Sequence, residues 1–221
     1  MDFIPLSRQD RIFFEENGYL VVPGLLDAEA IARFIAVGDR FMETAGPVHN
    51  FYANRYIDLL HDDALVALAT QSPAVSLVMQ LLSPDIHLMR ANAIYKHPQP
   101  LSREPVYPDG DGRSFRNWHR DLNNFAPNNP IRGTVAVRVG YCLTDFSQTN
   151  SGITLLVPGS HKLEGPLAFA KGELDPPKFL ELSLAAGDAH IFSTSLDHTP
   201  AINFTDRIAK GMLIGYAYRF W

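Results

Sequence analysis

From about residue 85 onward the chain is cut into short runs rich in β-branched and aromatic residues. They read I-H-L-M-R-A-N-A-I-Y, T-V-A-V-R-V-G-Y-C-L, I-T-L-L-V, F-L-E-L-S-L, A-H-I-F and M-L-I-G-Y-A-Y-R-F-W. Gly, Pro and Asn separate them, and no helical period lies between them. Consecutive short strands joined by turns, without crossover helices, pair antiparallel and close into a barrel or sandwich. P-G-S-H (158–161) and A-A-G-D (185–188) mark tight corners beside two of these strands, where Gly supplies backbone angles other residues avoid.

The first third has a different period. Ser7 is placed to cap a helix running to about Asn17, and Gly18 to end it. Y-L-V-V-P is a short strand. Asp27 caps a longer helix with Ala30, Ile31, Phe34, Ile35, Val37 and Phe41 on or near one face. Two shorter helices follow, about 62–70 and 72–82, the second opening on Ser-Pro. The expected fold class is therefore α+β: a single domain over 1–221, helical to about 84 and a β-barrel beyond. Two long excursions, 97–114 and 161–178, have the composition of lids or binding loops.

Composition narrows the function classes. A chain of 221 residues with 46% hydrophobic and 19% charged residues can build a core that holds a shaped site. A net charge of −5 argues against nucleic acid as a partner. The lone Cys142 excludes an intrachain disulfide and a Cys-rich zinc site, and reads as a core thiol. No stretch of about 18 apolar residues suggests a membrane span, and the N-terminus lacks the pattern of a signal peptide, so a cytoplasmic location is expected. No oligomeric state is legible.

Chemistry concentrates in the histidines. F-R-N-W-H-R-D-L-N-N-F (115–125) holds a His-x-Asp triplet, His119 and Asp121. The spacing alone is weak, because L-H-D-D-A repeats it at His61 and Asp63. There, however, Asp62 and Asp63 have the placement of a helix cap and first turn, where carboxylates meet free amides. His161 follows a corner and is expected to hold it, and His190 alternates with apolar neighbours in a strand. His119 lies at a strand edge, so His119 and Asp121 can face one side. His198 follows a later strand that a barrel can return beside the first. Two His and one carboxylate on one face of an ion leave three positions open, an arrangement suited to Fe(II) and O2, though zinc also accepts such ligands. Arg207, nine residues on, offers a fork that grips a carboxylate, so a small dicarboxylate co-substrate is implied.

Together, W-H-R-D, N-S-G-I-T-L-L-V-P-G-S-H-K, G-D-A-H-I-F and H-T-P-A-I-N-F-T-D-R resemble the phytanoyl-CoA dioxygenase family, and E-N-G-Y-L-V-V-P-G-L-L-D resembles its N-terminal opening. The resemblance covers about residues 10–219. It implies a double-stranded β-helix (a jelly-roll, cupin-like barrel) with the helices packed on one sheet, and an Fe(II)- and 2-oxoglutarate-dependent oxygenase. It implies that His119, Asp121 and His198 bind the metal and that Arg207 holds the distal carboxylate of 2-oxoglutarate. Lys96, in I-Y-K, and Arg138 resemble co-substrate contacts of some members. Two departures stand out. The family's arginine often lies eleven residues after the distal His, where this chain has Ala209, leaving Lys210 as the fallback cation; and Thr199-Pro200 replaces the usual Gly-Ser.

The implied activity is oxidation, foremost hydroxylation, of a C–H bond of a small molecule, with O2 consumed and succinate and CO2 released. Related halogenases lack the carboxylate, so Asp121 favours hydroxylation. A secondary-metabolite intermediate is the expected substrate, with Trp118, Asn123, Asn124 and Arg116 as candidate contacts. Arg103, Arg113, Arg116 and Arg120 form either a positive mouth or a solvated lid. The alternative is a metal-binding β-barrel without oxygenase activity.

Overall fold

A computed structural model describes residues 3–44, 52–59, 62–99, 117–121, 134–169, 173 and 175–219. Asn123, Asn124, Arg116, Arg103, Arg113, His49 and His61 lie outside the described residues, as does most of the first long loop.

Four helices form where capping and period place them. Helix α1 (Arg8–Asn17) starts on the Ser7 side chain, which accepts from the Asp10 amide, and stops at Gly18 with φ +81°. Helix α2 (Ala28–Thr44) presents its apolar stripe to the sheet. Helix α3 (Asp63–Gln71) is capped by Asp62 with Asp63 in its first turn, so these two carboxylates serve a helix start. Helix α4 (Pro73–Leu81) is capped by Ser72. Among the described residues no single helix is long and apolar enough to cross a membrane.

Nine strands follow in chain order: β1 (Tyr19–Val22), β2 (Tyr52–Tyr56), β3 (Ile86–Lys96), β4 (Ala136–Cys142), β5 (Thr154–Leu156), β6 (Leu180–Glu181), β7 (Ala189–Ser193), β8 (His198–Pro200) and β9 (Ala209–Tyr218). They make a six-stranded sheet, β1-β7-β4-β9-β3-β2, and a three-stranded sheet, β6-β5-β8. All pairings are antiparallel. Two details depart from the sequence reading. Residues 52–56, expected within the helical part, form an edge strand on β3. The run F-L-E-L-S-L keeps only two residues of strand, with a further bridge from Leu184 to Phe146.

The pleat sorts the large sheet's side chains into two cores. On one face Val137, Val139, Ile191, Ile214 and Tyr216 pack with Phe34, Val37, Leu65 and Val78 of the helices. On the other, Cys142, Phe192 and Ala209 join Phe146, Ile153, Leu156 and Leu196 inside the barrel. β4 is buried along its whole length, which is why its sequence reads as a nearly continuous apolar run. The exception, Arg138, lies on the barrel side in register with Phe192.

Candidate metal centre and the cavity beside it

His119 and His198 meet as an isolated antiparallel bridge. The His119 amide donates to the His198 carbonyl at 3.0 Å and the reverse bond has the same length. His198 opens β8, whereas Asp121 lies in a turn rather than on the continuous strand its spacing suggested. The convergence therefore comes from one bridge and a turn. His119 Nε2 lies 3.7 Å from Asp121 Oδ1, and His198 Nε2 lies 3.9 Å from the same oxygen. One ligand atom from each of the three residues falls within 4.8 Å of the others, which is room for one ion between them.

The donor set is oriented as a metal requires. His119 Nδ1 lies 2.7 Å from the Asn117 carbonyl and His198 Nδ1 lies 2.9 Å from the Leu196 carbonyl. A carbonyl only accepts, so each Nδ1 carries the proton and each Nε2 keeps its lone pair toward the shared point. Burial, foremost, pushes the His198 imidazole down to about 4, so it is neutral near neutral pH. Burial also opposes charge on Asp121. The facing His198 and the Arg138 guanidinium outweigh it and hold the carboxyl below the usual carboxylate range. Arg138 Nε donates to Asp121 Oδ2 at 2.8 Å, which leaves Oδ1 for the ion.

The residue between the two candidate ligands faces away. Arg120 is buried on the opposite side and donates through Nε to Asp197 Oδ2 at 2.7 Å. Its Nη groups reach the carbonyls of Ser160, Leu163 and Gly165. Asp197 directly precedes His198, so this pair ties the two ligand-bearing segments together behind the site.

Between β4, β9 and the end of β3 the barrel interior leaves a small cavity of about 40 Å³. Small residues make it: Gly140, Ala209 and Gly211 face it from β4 and β9. Lys96 enters from the end of β3, buried, with Nζ donating to the Gly152 carbonyl and lying 3.5 Å from that of Ile153. Burial pulls its ammonium down to about 7, against Glu181 and Cys142, which favour the charge. His190 enters from β7, stacked on Phe192 at 5.7 Å, and neither of its ring nitrogens has a hydrogen-bond partner. Its alternation with Ala189 and Ile191, both packed on the helical side, was the available signal in the sequence.

The remaining candidates divide. Arg207 lies before β9, half exposed, with Nη2 3.1 Å from Asp145 Oδ2, and it does not line the cavity. Lys210 is on the helical face of β9 and grips Asp39 of α2 at 2.7 and 2.9 Å. Trp118 donates through Nε1 to Asp175 Oδ1 at 3.0 Å and packs edge-on against Phe179, so it belongs to the second long loop's contacts. His161 lies 3.2 Å from the Glu15 carbonyl and seats the 158–161 corner on α1.

The family model for phytanoyl-CoA dioxygenase (PhyH) matches residues 14–211, which takes in the triad, the cavity and all but the ends of the fold. The chain belongs to that family. Within it, the chain is 26% identical over 180 residues to the peroxisomal phytanoyl-CoA dioxygenase of Rattus norvegicus, covering 73% of this chain and 49% of the relative. It is 24% identical over 168 residues to the ectoine dioxygenase of Streptomyces avermitilis, covering 72% and 52%. The chain thus spans about half the length of the curated relatives it matches. Two solved structures share the fold of this PhyH member. The epimerase SnoN, in complex with Fe3+, alpha ketoglutarate and nogalamycin RO, matches with a TM-score of 0.72 at 22% identity over 94% of this chain and 81% of its own. HygX from Streptomyces hygroscopicus, with nickel and 2-oxoglutarate bound, matches with a TM-score of 0.74 at 18% identity over 98% and 88%. The double-stranded β-helix expected from the sequence is the fold observed.

Proposed function

We propose that this PhyH-family protein is an Fe(II)- and 2-oxoglutarate-dependent dioxygenase that oxidises, most simply hydroxylates, a C–H bond of a small molecule. The observation that carries the reading is the convergence of His119 Nε2, His198 Nε2 and Asp121 Oδ1 with both Nδ1 atoms anchored on backbone carbonyls. Two imidazole nitrogens and one carboxylate suit Fe(II) and leave three positions for a chelating 2-oxo acid and O2. In this reading His119, Asp121 and His198 hold the metal and Arg138 orients Asp121.

When bound, the iron, 2-oxoglutarate and O2 supply an oxidant strong enough to remove hydrogen from an unactivated C–H bond, with succinate and CO2 released. The chain's own contribution is positional. Arg138 fixes which carboxylate oxygen faces the ion. Phe192, 5.0 Å from the His198 ring, keeps that side apolar and dry. Trp118, next to His119 in the chain and bonded to Asp175, is a candidate substrate contact in this reading, with Asn123, Asn124 and Arg116 as further candidates from the sequence. The same reading takes the helices and barrel as one domain, since β1 and β2 from the first third supply both edges of the large sheet.

The SnoN structure holds nogalamycin RO and a further HygX structure holds hygromycin B, which supports a natural-product intermediate as substrate. Anaerobic protein mixed with Fe(II) and 2-oxoglutarate is expected to give a visible charge-transfer band that Asp121→Ala and His198→Ala each abolish. A metal-holding barrel without oxygenase activity gives no band. Succinate release across a panel of candidate small molecules then identifies the substrate.

A further inference from the structure

The cavity beside β4 and β9 carries chemistry that the triad does not use. Its lining is mostly apolar or glycine, with Thr154 and Tyr141 among the rest, and Lys96 from β3 and His190 from β7 enter it from opposite sides of the large sheet's centre. Lys96 is the one cation among the described residues lining the cavity. Its ammonium rests on backbone carbonyls of Gly152 and Ile153, with Glu181 the acidic group acting on it. His190 is odder. An imidazole in either state has a ring N–H to donate, and here both nitrogens are buried with no partner. Buried polar groups are satisfied in the working state of a protein, so an orphaned imidazole facing a cavity points to a ligand that completes it. Gly140 lies directly opposite in register, and a Cβ there would come within 2.2 Å of the ring, so the backbone has been cleared to admit it.

The cavity is one aromatic layer from the triad. His190 stacks on Phe192 at 5.7 Å, and Phe192 meets His198 at 5.0 Å. An anion chelated beside the triad that reaches past Phe192 therefore ends at Lys96 and His190. Arg207 does not offer itself there: it is half exposed and paired with Asp145. Position 209, in register with Lys96, is Ala and supplies space instead of charge.

Resting on the oxygenase reading above, we propose that the distal carboxylate of 2-oxoglutarate is held by Lys96 and His190 and that Arg207 takes no part in it. Lys96 supplies the countercharge and His190 a neutral N–H donor. A 2-oxo acid without a distal carboxylate would lack both contacts and bind at the metal alone.

The test measures equilibrium binding rather than turnover. Anaerobic Fe(II) protein is titrated with 2-oxoglutarate and, separately, with 2-oxobutyrate, which chelates but has no second carboxylate, following the charge-transfer band. In Lys96→Met the affinity for 2-oxoglutarate should fall by roughly 10- to 100-fold, the scale of a lost charge-assisted bond, while that for 2-oxobutyrate holds. His190→Leu should lose about 10-fold with 2-oxoglutarate only, and His190→Gln, which keeps an N–H, should recover part of it. Arg207→Ala should stay within about twofold, the scale of a spent surface pair. A wild-type band that Lys96→Met leaves intact, or a large loss in Arg207→Ala, overturns the assignment alone. If Lys96→Met does not fold, Arg207→Ala and the His190 pair decide it by the same criteria. No band with either acid in wild type overturns the oxygenase reading and this subsite with it.

Discussion

Arg120 and Asp197 form a buried ion pair, Nε to Oδ2 at 2.7 Å, in which each partner flanks a candidate metal ligand. Arg120 lies between His119 and Asp121, and Asp197 precedes His198. The pair is also satisfied around its rim: Ser160 Oγ accepts from the Asp197 amide at 2.7 Å, and three carbonyls accept from the guanidinium. Burial keeps the Asp197 carboxyl above its usual range despite that guanidinium. Removing one member of such a pair strands the other charge. Arg120→Ala should therefore cost on the order of 3–5 kcal/mol of stability. Metal affinity should fall as well, because the two ligand segments lose their shared anchor. Thermal unfolding without metal separates the first effect, and titration with Fe(II) or Co(II) the second. Unchanged metal affinity in Arg120→Ala would confine the pair to a structural role.

Arg138 acts on the site from the opposite side. Its Nε holds Asp121 Oδ2, so the carboxylate meets an ion through one oxygen. Arg138→Leu keeps an apolar side chain against Gly215 and frees Asp121 to rotate. Metal affinity is expected to drop by about 10- to 100-fold, the range found when groups that orient metal ligands are removed. Metal titration with the chelator-stripped protein checks it.

Much of this was legible in the sequence because the signals were local. Ser7, Gly18, Asp62 and Ser72 cap helices where their types demand, and the alternation of β7 separates His190 from its apolar neighbours. The convergence of His119, Asp121 and His198 was legible through spacing and strand order, although the geometry is a single bridge and a turn. What escaped depends on side-chain direction. Arg207 sits in a bend before β9 begins, and its pairing with Asp145 is a contact no spacing in the sequence announces. Tyr52–Tyr56 escaped because an edge strand with Asn and Arg in it has no apolar alternation to read. His190 was visible only as a histidine among apolar neighbours, and its missing partners are a fact of three dimensions.

Gly140 tests how the cavity is kept open. A methyl group there would stand 2.2 Å from His190 Cε1 and 2.6 Å from Nε2, with strands on both sides holding the backbone in place. The ring cannot yield without leaving its stack on Phe192. Gly140→Ala should cost about 1–3 kcal/mol of stability through overpacking. In Gly140→Ala together with His190→Ala that cost should largely disappear, leaving the loss due to the histidine itself. Denaturant unfolding of the two variants and the His190→Ala parent reads the coupling.

Lys96 gives the protein a pH dependence whose sign follows from its burial. The folded ammonium titrates near 7 against 10.5 for an unburied lysine, with Glu181 and Cys142 the groups that favour its charge. Between these values the unfolded chain binds a proton that the folded one lacks, so this group makes stability rise with pH from about 7 upward. Lys96→Met should remove that slope, read as the pH dependence of the difference in unfolding free energy between the two proteins. Binding of 2-oxoglutarate should run the other way. The neighbouring His190 is pushed down to about 4 and the Cys142 thiol is pushed up, so neither changes charge near neutrality. A carboxylate beside Lys96 favours the ammonium, so the complex takes up a proton as pH rises through 7 and affinity declines. Calorimetry in buffers of different ionisation enthalpy measures that uptake, and an equal uptake in Lys96→Met would assign it elsewhere.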